Sequence, residues 1–99
     1  MIHVYADCKL YTNVINPKLE YVTDSIWPPY NPYFWITFKE SPNAQFNRVD
    51  FRDFTEEMNN NYIEINNQRF KYKDIKENLE YIQALIENDV NQEAIESLP

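Results

Sequence analysis

The chain contains no glycine among its 99 residues, and this absence constrains both its turns and its chemistry. Backbone positions with φ > 0 usually go to glycine, and asparagine is the next most tolerant residue. Asparagine is frequent, with runs at 59–61 and 66–67, so we predict that asparagine occupies the left-handed turn positions. Phosphate-cradling loops and dinucleotide-binding fingerprints need glycine for close backbone approach. Nucleotide-dependent chemistry of those two kinds is therefore excluded.

The length and composition predict a single domain over residues 1–99. The sequence is 43% hydrophobic and 16% aromatic, which is sufficient for one modest core. No apolar run approaches the roughly 18 residues of a membrane span, and "MIHVYADCK" lacks the basic and apolar parts of a signal peptide. One cysteine, Cys8, cannot form an internal disulfide and suits a reducing compartment. We therefore expect a cytoplasmic protein with no membrane association.

Alternation of apolar and polar residues predicts strands in the first part of the chain. "IHVYA" at 2–6 is the first such run, and the pattern returns in 9–15 and 18–24. Asn16 and Pro17 separate the last two runs and are typical of a tight turn. We predict that these two runs form a hairpin.

The stretch "WPPYNPYFW" at 27–35 is the most unusual local sequence. Its prolines cannot donate ladder hydrogen bonds, so its first half predicts a stiff, extended lead-in to the following strand. Alternation resumes over 33–39, which predicts a strand in which Trp35 is structural. Trp27, Tyr30 and Tyr33 allow two interpretations. They form a loop packed on its own domain, or they form an interface, because Trp and Tyr are enriched at binding hot spots.

The second half of the chain predicts helices and one further hairpin. A strand or loop ends near residue 51, and a short helix follows over 53–60. Asn66-Asn67 predicts a two-residue type I′ turn between short strands. An amphipathic helix then covers 74–90, with Asp74 as its N-cap and a core-facing stripe of Ile75, Leu79, Ile82, Leu85, Ile86 and Val90.

A short last helix is predicted over roughly 91–98. The order of these elements predicts an α+β fold, an antiparallel sheet of about five strands with the C-terminal amphipathic helix packed on one face. The other face of such a sheet can remain in contact with solvent.

Few residues offer catalytic or metal-binding chemistry. His3 is the only histidine, and its spacing from Cys8 fits no zinc motif. We expect Cys8 to be a small, half-buried side chain without a functional role. Carboxylate pairs such as Glu56 and Glu57 could serve acid–base chemistry, but glycoside hydrolysis needs a cleft between the two groups. We therefore expect a non-enzymatic protein with no metal and no cofactor.

The net charge of −7 is concentrated in the C-terminal part of the chain. Residues 1–73 hold nine acids and eight bases, a net of −1, whereas residues 74–99 hold seven acids and one base, a net of −6. On a helical wheel Glu77, Glu80 and Glu87 lie opposite the apolar stripe, with Tyr81 at one edge. Two interpretations are open: a solvated face that keeps a small protein soluble, or a docking surface for a basic partner.

The leading hypothesis is a small acidic inhibitor or decoy that binds the basic, nucleic-acid-binding surface of a larger protein. Phage anti-defence proteins (anti-CRISPR and anti-restriction) and nuclease-immunity proteins are of this physical type. Direct nucleic-acid binding is disfavoured, because phosphate contacts need lysine and arginine. The alternative is an accessory or assembly protein that binds through an aromatic surface. The predicted partner-binding residues are Glu77, Glu80, Glu87, Asp89, Glu93, Tyr81, Trp27 and Tyr30.

Overall fold

A computed structural model describes residues 1–22, 33–52 and 60–96, with side chains as far as residue 92. The helix predicted over 53–60 lies outside these ranges, apart from Asn60. Within the described ranges the elements are β1 (Ile2–Ala6), β2 (Lys9–Tyr11), β3 (Ile15–Val22), β4 (Tyr33–Lys39), β5 (Asn47–Phe51), β6 (Tyr62–Ile65), β7 (Gln68–Phe70), α1 (Tyr72–Glu77) and α2 (Leu79–Glu96).

The strands form two antiparallel sheets. The first, sheet A, has four strands in the order β2-β1-β6-β7, and the second, sheet B, has three in the order β3-β4-β5. The predicted α+β class is confirmed, but the prediction of one sheet with about five strands is wrong. The reason is that alternation shows which face of a strand is buried and does not show which strand lies beside it.

Both sheets turn their apolar faces towards one shared core. Burial alternates along β1 and, from Phe34 onward, along β4 as the sequence pattern predicts, so successive side chains point to the core and away from it. Tyr33, at the start of β4, is also buried, so neither its predicted place on the outward face nor a role in an exposed interface is confirmed. The outer faces of both sheets and the outer side of α2 are left at the surface. The core side chains are Ile2, Val4, Ala6, Val14, Leu19, Phe34, Ile36, Phe38, Val49, Phe51, Ile63, Ile65, Phe70, Tyr72, Ile75, Ile82 and Ile86.

The tight turns use non-glycine residues in the left-handed region. Asn66 and Asn67, with φ of 54° and 67°, join β6 to β7, so the predicted type I′ hairpin is confirmed. Asp7 and Cys8, with φ of 51° and 63°, form the equivalent turn between β1 and β2. Cys8 is exposed, so its predicted half-burial is wrong. Its position at the tip of a two-residue turn takes it away from both sheet faces.

Asn16 and Pro17 do not form a turn, and the hairpin predicted from them is wrong. Both residues lie inside β3, where the pairing with β4 shifts between Ile15 and Lys18. Asn16 has φ of 53°, which supplies the left-handed conformation of this bulge. The turn-forming residues therefore bend a strand that continues through them.

The C-terminal helical segment begins earlier than predicted. Lys71 is the N-cap of α1, and Asp74 lies three residues further on. The Asp74 carboxylate accepts a hydrogen bond from the Lys71 backbone N–H at 3.0 Å. Asp74 therefore stabilises the first turn from inside the helix, as the acidic member of a capping box does, and its predicted role as the N-cap is wrong.

The predicted single helix over 74–90 is interrupted at Asn78. The side-chain amide of Asn78 donates a hydrogen bond to the Asp74 carbonyl at 3.1 Å, and its backbone φ of −134° is not helical. Asparagine side chains compete with the backbone in this way, which favours helix ends. α2 then runs without a break to Glu96, so the separate last helix predicted over 91–98 is part of α2 as far as that residue.

The predicted core-facing stripe of the helices is mostly confirmed. Its isoleucines are buried, and its leucines pack against the core. Val90 differs, because 37% of it is exposed and it borders a groove between α2 and β3. The last residue of the stripe, Val90, is therefore not part of the core.

Candidate functional site

The outward side of the helical segment carries exposed acids and one exposed tyrosine. Glu77 ends α1, while Glu80, Tyr81 and Glu87 lie on α2, and all four are exposed. We call these four residues the acidic face. Because Asn78 interrupts the helix, the single-helix wheel applies to the three residues of α2, and Glu77 is carried by a separate element. Tyr81 is 52% exposed, so its ring is accessible on this face.

The acids of the acidic face differ from those of the sheets in their partners. Within the part of the chain that the structure describes, Glu77, Glu80 and Glu87 form no ion pair. Four acids in or next to the sheets do form pairs with lysine or arginine. Those pairs are Lys9 with Glu40 at 3.6 Å, Lys18 with Glu20 at 3.0 Å, Arg48 with Asp50 at 3.1 Å, and Arg69 with Glu64 at 3.0 Å.

Of the other predicted partner-binding residues, Asp89 alone has a described side chain, and it is not part of this face. Asp89 has only 12% of its side chain exposed and pairs with the amino group of Met1. Glu93 lies in α2, but its side chain is outside the described part of the structure. Trp27 and Tyr30 also lie outside the described residues, so their role remains a prediction.

A groove of about 390 Å³ lies between β3 and α2, next to the acidic face. Glu87 belongs to both features. Gln83 connects α2 to β3, because its side-chain amide donates a hydrogen bond to the Leu19 carbonyl at 3.2 Å. Sequence patterns could not have found the groove, since its two walls are more than 60 residues apart in the chain. Its lining residues are Pro17, Lys18, Leu19, Gln83, Ile86, Glu87, Val90 and Asn91.

The outer face of sheet B is a network of aromatic and charged side chains around Trp35. The Trp35 indole N–H donates a hydrogen bond to Glu20 at 3.0 Å, and the Arg48 guanidinium lies 4.7 Å from the ring centre. Hydrogen bonds from Lys18 and then from Trp35 lower the pKa of the Glu20 carboxyl below its usual value. Trp35 is half-buried, so it stabilises the sheet from its outer face and is not part of the core.

The outer face of sheet A has an aromatic row. Tyr5 and Tyr62 lie opposite each other on β1 and β6, and their rings stack with centroids 5.1 Å apart. The Arg69 guanidinium lies 4.8 Å from the Tyr62 ring centre, and Leu10, opposite Tyr5 on β2, is 47% exposed. This row is a partly exposed aromatic surface.

A second pocket, of about 380 Å³, lies where β5 meets the turn between β1 and β2. Its lining includes Arg48, Arg52, Asp50 and Asp7. Arg48 and Arg52 both approach the Asp50 carboxylate, at 3.1 and 3.5 Å. These two bases and two acids carry no net charge together.

The residues with nucleophilic or metal-binding potential are not brought together. Cys8 lies in the turn beyond one end of β1, whereas His3 lies near the other end and is 3.6 Å from Glu64. The nearby Cys8 thiol raises the pKa of the Tyr5 hydroxyl, but no base is placed to activate that thiol among the described residues. In the same part of the chain, no group of three or more His, Cys, Asp and Glu side chains is placed to hold a metal ion.

Neither of the two helices is long and apolar enough to cross a membrane within the ranges that the structure describes. Comparison of the chain with protein-family models, with curated proteins and with solved structures finds no match.

Proposed function

We propose that the protein is a small, non-enzymatic inhibitor or decoy whose acidic face binds the basic, nucleic-acid-binding surface of a larger protein in the cytoplasm. The observation that supports this proposal is a contrast among the described residues: four acids in or next to the sheets form ion pairs, whereas Glu77, Glu80 and Glu87 form none there. Concentrated like charge lowers stability through self-repulsion, and a basic partner removes that cost.

The acidic face also has the composition that such an interface needs. Its glutamates can take the place of phosphate groups on a lysine- and arginine-rich surface, and complementary charge accelerates association by about 10- to 10³-fold. Tyr81 adds a large, partly apolar side chain among these charges, and tyrosine is frequent at binding hot spots. In this proposal the charges accelerate association with the partner. Tyr81 adds a contact whose strength does not depend on salt.

Capture of partners from a lysate of the source cells tests the proposal. The tagged chain is compared with a variant in which Glu77, Glu80 and Glu87 are all changed to Gln, at about 0.05 M and 0.5 M salt. A partner of the proposed kind binds the parent at low salt, is released at high salt because charges are screened, and binds the variant weakly. Double-stranded DNA should also release it, since DNA competes for the same basic surface. Equal capture by parent and variant would contradict the proposal.

The second candidate is an accessory or assembly protein that binds through an aromatic surface. The stacked pair Tyr5 and Tyr62 with the exposed Leu10 supports this candidate, because rigid aromatic side chains lose little entropy on binding. Such a partner would stay bound at 0.5 M salt. It would be lost with Leu10→Asn and kept by the triple Gln variant, which is the opposite of the result expected for the decoy.

A further inference from the structure

The groove between β3 and α2 is an open groove lined by both apolar and polar side chains. Leu19 and Ile86 contribute its buried side, and Val90, with 37% of its surface exposed, contributes an apolar patch at its opening. Glu87 stands on the same wall and continues into the acidic face. A carboxylate thus lies beside an apolar patch in a groove of about 390 Å³.

The backbone around the groove decides what kind of group can enter. β3 is an edge strand of sheet B, and an open edge can bind an added strand. Pro17 has no N–H to donate, however, and the Leu19 carbonyl already accepts the hydrogen bond from Gln83. Strand addition is therefore blocked along this part of β3, and the groove is suited to a side chain.

The charge of the groove determines the chemistry of that side chain. Glu87 has no ion-pair partner among the described residues. Lys18, on the opposite wall, is bound to Glu20 at 3.0 Å, which holds its ammonium towards the outer face of sheet B. The groove therefore favours a group with an aliphatic stem and a positive end, because lysine and arginine cover apolar surface with their methylene groups while the charged end stays solvated.

We propose that the groove receives a lysine or arginine side chain of the basic partner, with its stem against Ile86 and Val90 and its charged end at Glu87. This inference rests on the proposed function and makes it more specific. The acidic face attracts many basic surfaces, whereas the groove selects partners in which one long basic side chain projects far enough to enter it.

Two peptides of equal charge provide the first test, with no need to know the partner. One is acetyl-Arg-Arg-Arg-amide, and the other has the same length but carries 2-amino-3-guanidinopropionic acid, which has two fewer methylene groups per residue. Both are titrated into the isotope-labelled full chain, and the methyl resonances of Ile86 and Val90 are followed by NMR. We expect these methyl groups to shift with the arginine peptide and to shift little with the short-stemmed one. Equal responses to the two peptides would overturn the inference.

A matched pair of variants separates this inference from the proposed function. Glu87→Gln and Glu77→Gln each remove one exposed negative charge, but only Glu87 lines the groove. We expect Glu87→Gln to weaken binding of the arginine peptide by about fivefold and Glu77→Gln by about twofold or less, as exposed charges usually do. Equal weakening would leave the acidic face as the binding surface and overturn the proposal that the groove receives a basic side chain. Unchanged binding in both variants would contradict both the groove as a binding site for a basic side chain and the proposed function.

Discussion

Cys8 is the least suitable residue for its backbone conformation in the described structure, and replacing it should stabilise the protein. The left-handed positions at 16, 66 and 67 carry asparagine, and position 7 carries aspartate. These two residue types tolerate φ > 0 because their short polar side chains can bond locally. Cysteine is not one of these two residue types, and the thiol of Cys8, a weak hydrogen-bonding group, is bonded to the Tyr5 hydroxyl, yet Cys8 has φ of 63°.

The size of the effect follows from two opposing contributions. A left-handed conformation costs an ordinary L-residue about 1–2 kcal/mol, and glycine avoids most of this cost. Glycine also makes the unfolded chain more flexible, which lowers stability by about 0.4–1 kcal/mol. Cys8→Gly should therefore raise the free energy of unfolding by about 0.7 kcal/mol, or the melting temperature by roughly 3–6 °C for a domain of this size. Cys8→Asn should also stabilise, and Cys8→Val should destabilise, because β-branched residues are least tolerant of φ > 0.

Urea unfolding monitored by circular dichroism measures this effect, and an unchanged m-value shows that the midpoint reports stability. Cys8→Ser is the matched control, since serine removes the thiol but keeps a side chain of similar size. If Cys8→Gly and Cys8→Ser both fall below the parent in stability, the thiol itself stabilises the turn and the argument from backbone strain is wrong. Function should survive all of these changes, and loss of partner binding with intact folding would point to a role for the thiol.

Three further outcomes are expected. The triple Gln variant of the acidic face should fold with a melting temperature equal to or slightly above that of the parent. Its association with a basic partner should be slower and less dependent on salt. A large loss of stability would show that those glutamates have structural partners. In urea unfolding, Trp35→Ala should lower the free energy of unfolding by about 1–3 kcal/mol and Phe38→Ala by about 3–5 kcal/mol, because Phe38 is fully buried and Trp35 is half-buried. The reverse order would place Trp35 in the core. The lowered pKa of Glu20 means that its contribution to stability is present above the ordinary value of 4.5 and is lost as pH falls through the lower folded value. Glu20→Gln should therefore reduce the acid sensitivity of unfolding as pH falls below 4.5, and an unchanged pH profile would contradict this.

Local sequence patterns predicted local structure well. The turn at Asn66-Asn67 was predictable because two tolerant residues between short apolar runs leave few other conformations. The inward and outward faces of β4 were predictable because the side-chain period of a strand is two. The acidic face was also visible, since helical spacing and charge both lie in the sequence.

The remaining features depend on contacts between distant residues. Asn16-Pro17 has the composition of a turn, but pairing of β3 with β4 holds the chain extended and turns these residues into a bulge. The break at Asn78 was hidden because the apolar residues on either side keep helical spacing. Asp89 was placed with the other acids by its charge, whereas its partner, the Met1 amino group, is 88 residues away in the chain. The groove is likewise invisible without knowing that α2 lies along β3.

The pairing of β1 with β6 has a consequence for the order in which the protein assembles during synthesis. Ile2 lies opposite Ile65, so β1 leaves the ribosome more than 60 residues before the strand that completes its pairing. Sheet B, in contrast, is a continuous meander from residue 15 to 51. Contacts between distant residues form slowly, because the loop between them must close first. We therefore expect sheet B to form early, while β1 and β2 remain a lone hairpin, which is marginally stable in water. Until β6 has been synthesised and pairs with β1, the apolar residues of β1 are exposed and can contact other chains. We expect a nascent molecule to be most prone to aggregation during this interval.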